Sequence, residues 1–237
     1  IALAWGVAVV AVAAATAPAV GISRDESVYL EAAASYARFW REALRAPSAV
    51  ASLADRHYAV NHEHPGLAKL LFGATHAVLA DGLGVTRHAQ GFRFGTFLLA
   101  GLLAVVLALW GFDLAGAWGG ALAPAVFFLV PRHFYHAHPA VLDLPVTAAW
   151  LATAWAFRRS LRPRGDGRPS LGWAAATGLL LGAALATKHN AWFLLPLLLV
   201  AWLLSALPAL RREGPRALAA RFPAAFPAMA VLGPLVG

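Results

Sequence analysis

The sequence predicts an all-α, polytopic membrane protein, and its composition and its apolar segments both indicate this class. Of its 237 residues, 60% are hydrophobic and only 13% are charged, whereas soluble domains contain roughly 45–50% apolar and about 25% charged residues. An uncharged run of about 18 or more apolar residues can cross the hydrocarbon core of a bilayer. Seven such segments are predicted as spans: Ile1–Gly21, Phe94–Phe112, Ala115–Pro131, Ala140–Phe157, Leu171–Thr187, Ala191–Leu210 and a last one from Ala224.

The domain organisation follows from these segments. Residues 1–237 are expected to form a single transmembrane domain, truncated at both ends, because no Met begins the chain and its first residue already lies in an apolar run. Residues 22–92 form the one long loop. The first segment lacks the basic start of a secretory signal, and further spans follow it. Cys is absent, which excludes disulfides and thiolate metal sites.

The distribution of basic residues predicts the orientation in the membrane. Two short loops, at residues 158–168 and 211–221, are rich in Arg, and such loops face the cytoplasm. This orientation places all nine His and both Lys on the outer side. The net charge of +8 is therefore a signal of topology, nucleic-acid binding is not expected, and chemistry is expected on the outer face.

Two amphipathic helices are predicted within the long outer loop. From Asp25, apolar and aromatic residues recur at helical spacing up to Leu44, as in a helix that lies on a membrane surface. A second helix is expected to begin at Pro65, which is suited to a first helical position, and to end near Gly82 and Gly84.

The first two polar clusters of the outer side lie in this loop. "SRDESVY" begins at Ser23, and its Ser and Glu spacing fits a helix capping box. The alternative is a carboxylate pair at the membrane surface, one member of which acts as a general base. "NHEHPGLAKLL" begins at Asn61 and is either a solvated loop before a helix or, through His62 and His64, part of a metal site.

Two further clusters follow at the ends of later spans. Arg132 and three His precede Asp143, which lies inside a predicted span, where a carboxylate is costly unless it faces a cavity or a cationic partner. Pairing of Asp143 with Arg132 or a His is the structural alternative. In "ATKHNAW", Lys188 and His189 lie between spans five and six, where a Lys at a span end is common without any function.

Together these clusters resemble the family-39-like group of GT-C membrane glycosyltransferases, which includes protein O-mannosyltransferases and the bacterial transferases of aminoarabinose to lipid A. That group has an Asp-Glu pair in the first outer loop, as at Asp25 here, and a His-Pro-Pro-Leu-x-Lys-like segment, approximated by "HPGLAKLL". "HAHPAVLD" and "TKHN" approximate two later elements. The likeness covers essentially the whole chain and corresponds to the amino-terminal half of such enzymes. Gly66 and His138 depart from the pattern, since Pro and Arg are common there.

The resemblance implies inverting transfer of a sugar from a polyprenyl-phosphate-linked donor to a lipid, glycan or protein acceptor. It implies a bacterial inner membrane with the active site facing the periplasm. Asp25 is then the general base, and Glu26 orients it or binds the acceptor. The residues expected to bind the donor, its phosphate or the acceptor are Lys69, Lys188, His189, Arg132, His138, Asp143, His64 and Tyr29.

Two other functions remain open from the sequence. The additional histidines are compatible with a membrane metal-binding or metal-transport protein, or with a divalent metal as a cofactor of the transferase. Another kind of transporter would place polar residues on broken helices at mid-membrane, whereas here they lie mostly at span ends. The residues expected to ligate a metal are His62, His64, His136 and His138, with Asp143.

Overall fold

The computed structural model describes residues 1–162, 170–216 and 222–236. Parts of both Arg-rich loops, residues 163–169 and 217–221, lie outside the described residues. Throughout the described ranges the chain is all helical, without a strand, which confirms the predicted class. Its α-helices are α1 Ala2–Thr16, α2 Arg24–Arg45, α3 Val50–Tyr58, α4 Leu67–His76, α5 His88–Leu129, α6 Pro131–His136, α7 Asp143–Ser160, α8 Leu171–Leu185, α9 Leu194–Glu213 and α10 Ala225–Val236.

Within the described ranges, three helical segments are long and apolar enough to span a membrane. They are α1 with the 3₁₀ turn that follows it, the 42-residue α5, and α9 with the 3₁₀ turn His189–Phe193 before it. The helices α8 and α10 are apolar but shorter. Three charged residues, Asp143, Arg158 and Arg159, lie within α7. The described part of the chain thus has helices of the kind expected in a membrane protein.

The long helix α5 is a helical hairpin. Ala115 and Gly116 interrupt its helical dihedral angles, and Gly116 has a φ of +63°, which glycine adopts without steric cost. A Cβ added to Gly111 would meet the carbonyl oxygen of Gly119 and would lie 3.0 Å from the Cβ of Ala123. Twelve residues of straight helix span about 18 Å, so this contact requires the second half to fold back on the first. The break falls at the predicted boundary between the second and third spans.

The chain divides into two compact units, residues 1–148 and 149–237. In the first unit, α1 packs along α5, and Gly6 and Gly101 let the two backbones approach closely. In the second unit, α8 packs along α10 through Gly178 and Gly182. The core of the second unit includes Phe157, Leu181, Leu194, Leu198, Trp202 and Met229.

Residues 22–92 of the first unit, which the sequence predicts as the outer loop, contain α2, α3 and α4. The first of these helices, α2, packs on both α3 and α4, and its apolar residues Ala32, Tyr36 and Phe39 are buried. The ring of Tyr36 lies 4.5 Å from that of Tyr58 in α3. This face therefore contacts protein, which differs from the expected membrane-surface helix, because its partners come from later in the chain.

The second predicted surface helix begins two residues after Pro65, at Leu67. Its buried residues include Ala68, Phe72 and Gly73. At Gly73 the backbone of α2 is so close that a side chain would meet the Ala33 carbonyl. It ends in a π-helical turn, Ala77–Gly82. Since α4 also packs on α5, it connects the outer loop to the membrane-length helices.

Candidate functional site

A buried ion pair lies next to the predicted catalytic carboxylate. Glu26 and Arg93 are both buried, and their side chains form two parallel bonds, Nε to Oε1 at 2.7 Å and Nη2 to Oε2 at 2.8 Å. The carboxylate also accepts the N–H of Ser23 at 3.3 Å, as in the predicted capping box, and the N–H of Ala140 at 2.9 Å. Glu26 was expected to orient the base or bind the acceptor, and this burial favours orientation.

The remaining donors of Arg93 bind the end of the first span. Its Nη1 donates to the carbonyls of Ala17 at 3.3 Å and Val20 at 2.8 Å, and its Nη2 donates to that of Gly21 at 2.8 Å. All five N–H groups of the guanidinium are therefore used. Arg93 was not predicted as a site residue, because its only local signal is a single Arg immediately before an apolar segment.

Asp25 and Tyr29 form the open part of the site. Asp25 is exposed in the first turn of α2, where the helix dipole stabilises a negative charge. Tyr29 follows one turn later, with its ring 6.0 Å from that of His64. Burial raises the pKa of the Tyr29 phenol above its ordinary value. The charges of Asp25, Asp143 and Glu63, in decreasing order, add to this effect.

Lys69 holds the loop before α4. Its ammonium is buried and donates to the Asn61 carbonyl at 2.7 Å, to Asn61 Oδ1 at 3.1 Å and to the His64 carbonyl at 2.7 Å. It also lies 5.0 Å from the centre of the Tyr36 ring. Burial lowers the pKa of Lys69 to about 8, although the charge of Glu63 opposes this. The expected phosphate contact of Lys69 stays a prediction and requires the loop to release the ammonium.

His138 is also buried instead of facing an opening. Its Nδ1 lies 2.8 Å from the Phe134 carbonyl, and its Nε2 lies 2.7 Å from Thr16 Oγ1 at the end of α1. Both ring nitrogens are thus occupied. The expected contact of His138 with substrate is not favoured by this geometry, because the ring connects the segment before α7 to the first span.

A polar pocket of about 300 Å³ lies at the start of α7. Arg132 is exposed there, and His136 Nδ1 lies 3.7 Å from Asp143 Oδ2. The sequence predicted pairing with a His as the structural alternative for Asp143, and this pair corresponds to it, although the distance is longer than a hydrogen bond. His133 stacks on Phe127 with ring centres 4.2 Å apart. The pocket is lined by Phe127, Arg132, His133, His136, Asp143, Leu144 and Thr147.

Lys188 and His189 lie in the second unit, at the turn between α8 and α9. Lys188 is half-buried and His189 is exposed. Their expected convergence with the polar groups of the first unit stays a prediction.

The predicted metal ligands do not form one cluster. Among the residues that the structure describes, no three His, Asp or Glu side chains come together as a possible metal site. His62 is exposed with Nδ1 3.2 Å from the Ala59 carbonyl. His138 is committed to Thr16 and Phe134, and His136 approaches Asp143.

A serine, histidine and glutamate chain occurs elsewhere in the outer loop. Ser35 Oγ lies 3.0 Å from His57 Nδ1, and His57 Nε2 lies 3.2 Å from Glu42 Oε2. Ser35 and His57 are both buried, and the Ser35 hydroxyl also lies 3.2 Å from the His57 carbonyl. A buried hydroxyl within a helix is not placed to attack a substrate. We therefore interpret these hydrogen bonds between Ser35, His57 and Glu42 as contacts that hold α3 against α2.

Comparison with protein-family models, with curated proteins and with solved structures finds no match to this chain.

Proposed function

We propose that this chain transfers a sugar from a polyprenyl-phosphate-linked donor to an acceptor hydroxyl at the outer face of the membrane, as a GT-C-like transferase. The observation that carries the proposal is the 2.9 Å hydrogen bond from the Ala140 N–H to the Glu26 carboxylate. It joins the first turn of α2, which contains Asp25, to the segment that leads to Asp143, and Asp143 lines the pocket that contains Arg132 and His136. The candidate base and the cationic pocket therefore belong to directly connected segments.

The chemistry requires one proton acceptor and one site for the leaving phosphate. The acceptor hydroxyl attacks the anomeric carbon, the bond from this carbon to the phosphate oxygen breaks with its electron pair on the phosphate, and the configuration inverts. Asp25 takes the hydroxyl proton, a role that typically contributes about 10²–10⁴-fold to a rate. Arg132, with its planar set of donors, stabilises the charge that grows on the phosphate.

The buried residues act through position. Glu26 and Arg93 fix the first turn of α2, which carries Asp25, against the end of α1. Lys69 fixes the loop that carries His64. A base held in this way needs little reorganisation when the acceptor binds.

The proposal includes the finer membrane arrangement. The chain crosses the membrane seven times as one catalytic domain, with the hairpin of α5 as spans two and three and with the Arg-rich loops in the cytoplasm. The site then faces the outside, which is the periplasm if the membrane is a bacterial inner membrane.

The test is sugar transfer by the protein in membranes, measured with a radiolabelled polyprenyl-phosphate sugar. We expect Asp25→Asn to lower the rate by about 10²-fold or more and Arg132→Gln to lower it strongly as well. Asp55→Asn is the matched control, because Asp55 is an exposed carboxylate of α3 in the same loop, and it should retain the parent rate. Transfer at the parent rate by folded Asp25→Asn protein would refute the proposal.

A further inference from the structure

The short helix α6 separates two openings of opposite character. Arg132, His133 and His136 line the polar pocket on one side. Phe134 and the following Ala137 line an apolar groove of about 260 Å³ on the other side. A ligand that contacts both openings must itself have an apolar part and a polar part within the thickness of one helix.

The apolar groove runs along the first span. It is lined by residues of α1 at helical spacing, from Trp5 through Val9 to Ala13, which cover about 12 Å of helix axis. Ala125, Phe128 and Leu129 of α5 form the opposite wall. A groove parallel to a membrane-length helix has the direction of a lipid chain, and its end at α6 is the end nearest the polar pocket.

The polar side of α6 has charge suited to a phosphate. Arg132 is exposed and makes no ion pair within residues 1–162, 170–216 and 222–236. The Nδ1 of His136 is shielded from solvent and has no hydrogen-bond partner in the described residues, and the Asp143 carboxylate lies 3.7 Å from it. A phosphate oxygen can accept from both side chains, which would satisfy the buried nitrogen at the same time.

From these two openings we infer that the groove between α1 and the second half of α5 holds the polyprenyl chain of the donor, with its phosphate at Arg132 and His136. This inference rests on the proposed function and specifies where its lipid substrate lies.

The test is binding of a tritiated polyprenyl monophosphate to the purified chain in detergent micelles. Ala8→Phe and Ala125→Phe fill the groove from opposite walls, and we expect each to weaken binding by roughly tenfold or more. Arg132→Gln should weaken it similarly. Ala4→Phe is the matched control, because Ala4 is exposed on α1 and does not line the groove, and it should bind as the parent does.

Three results would overturn the inference. Parent-like binding by folded Ala8→Phe and Ala125→Phe would show that the groove is not occupied. Equal competition by a diacyl phosphatidic acid would indicate a general anionic-lipid surface. Competition by inorganic phosphate at the same concentration as unlabelled polyprenyl phosphate would indicate a site without a lipid chain. The binding assay does not require sugar transfer, and the effect of Asp25→Asn on transfer does not depend on the groove. Failure of one proposal can therefore be distinguished from failure of the other.

Discussion

Arg93 and Glu26 meet through two hydrogen bonds of 2.7 and 2.8 Å, 67 positions apart in the chain, and both side chains are almost completely buried. The pair is not isolated, because backbone carbonyls at the end of α1 accept the other donors of Arg93. It therefore connects the start of α2, the start of α5 and the end of the first span at one point.

Removing one partner of this pair is expected to destabilise the protein severely. Glu26→Gln or Arg93→Met leaves a buried charge without its counter-charge, which typically costs about 3–5 kcal/mol. The double variant Glu26→Gln, Arg93→Met should lose less than the sum of the single losses, because the two residues are coupled. Thermal unfolding in detergent measures this, and additive losses would contradict the interpretation of a coupled pair.

Lys69→Met should destabilise the loop before α4. The substitution removes the charged donor from three partly buried oxygens of Asn61 and His64, and a hydrogen bond to a charged group typically contributes about 1.5–3 kcal/mol. The matched control is Arg38→Met, which removes an exposed cation of α2. We expect it to change the free energy of unfolding by no more than about 0.5 kcal/mol. Hydrogen exchange of residues 59–66 should accelerate in Lys69→Met only, and equal exchange in both variants would refute this role.

His76 should make stability fall in mild acid. It is buried against the Phe92 ring at 3.9 Å, with Nε2 2.8 Å from His88 Nδ1. Burial lowers the pKa of His76, the charges of His88 and Arg41 lower it further, and Asp81 opposes them. Because this pKa is lower in the folded state, the unfolded chain binds more protons as the pH falls below about 6.5, and the free energy of unfolding decreases.

The measurement for His76 is the unfolding temperature at pH 7.5 and at pH 5.5. His76→Phe should show a smaller decrease over this interval than the parent protein. His62→Gln, which removes an exposed histidine of the same loop, should keep the parent decrease. The same pH dependence in His76→Phe as in the parent would assign the effect to other groups.

Gly111→Ala should disrupt the hairpin of α5. Its added methyl group meets the Gly119 carbonyl, and forcing atoms into a packed contact costs about 1–3 kcal/mol. Gly172→Ala is the control, since no atom lies within 4 Å of the added Cβ in α8. Thermal unfolding in detergent should show a loss for the first variant and none for the second, and equal behaviour would mean that the two halves do not pack closely.

The features that depend on local chemistry were predictable from the sequence. The helical class and the interruption near Ala115 follow from the lengths of the apolar runs. The capping contact of Glu26 follows from its position three residues after Ser23 in the sequence. Asp25 and Asp143 were both identified as polar groups of the outer side from their positions at span ends, and their joint role in one site stays a prediction.

The features that depend on tertiary partners were not predictable. Lys69 and His138 look like ligand-binding residues in the sequence, but their polar atoms bind the backbone or a hydroxyl of nearby segments. Arg93 looks like an ordinary basic residue at a span end. The apolar face of α2 has the periodicity of a membrane-surface helix, and periodicity cannot distinguish a lipid partner from a protein partner.

The hydrogen-bond partners of the Glu26 carboxylate are synthesised at different times. Its bond from the Ala140 N–H joins residues 114 positions apart, and a ribosome adds about 5–20 residues each second. For several seconds or more, a growing chain has α2 and the first spans but lacks the group that completes this carboxylate. A nascent protein therefore completes the hydrogen bonds of Glu26 only after the segment before α7 has been synthesised, and a chain that ends before residue 140 lacks one of them.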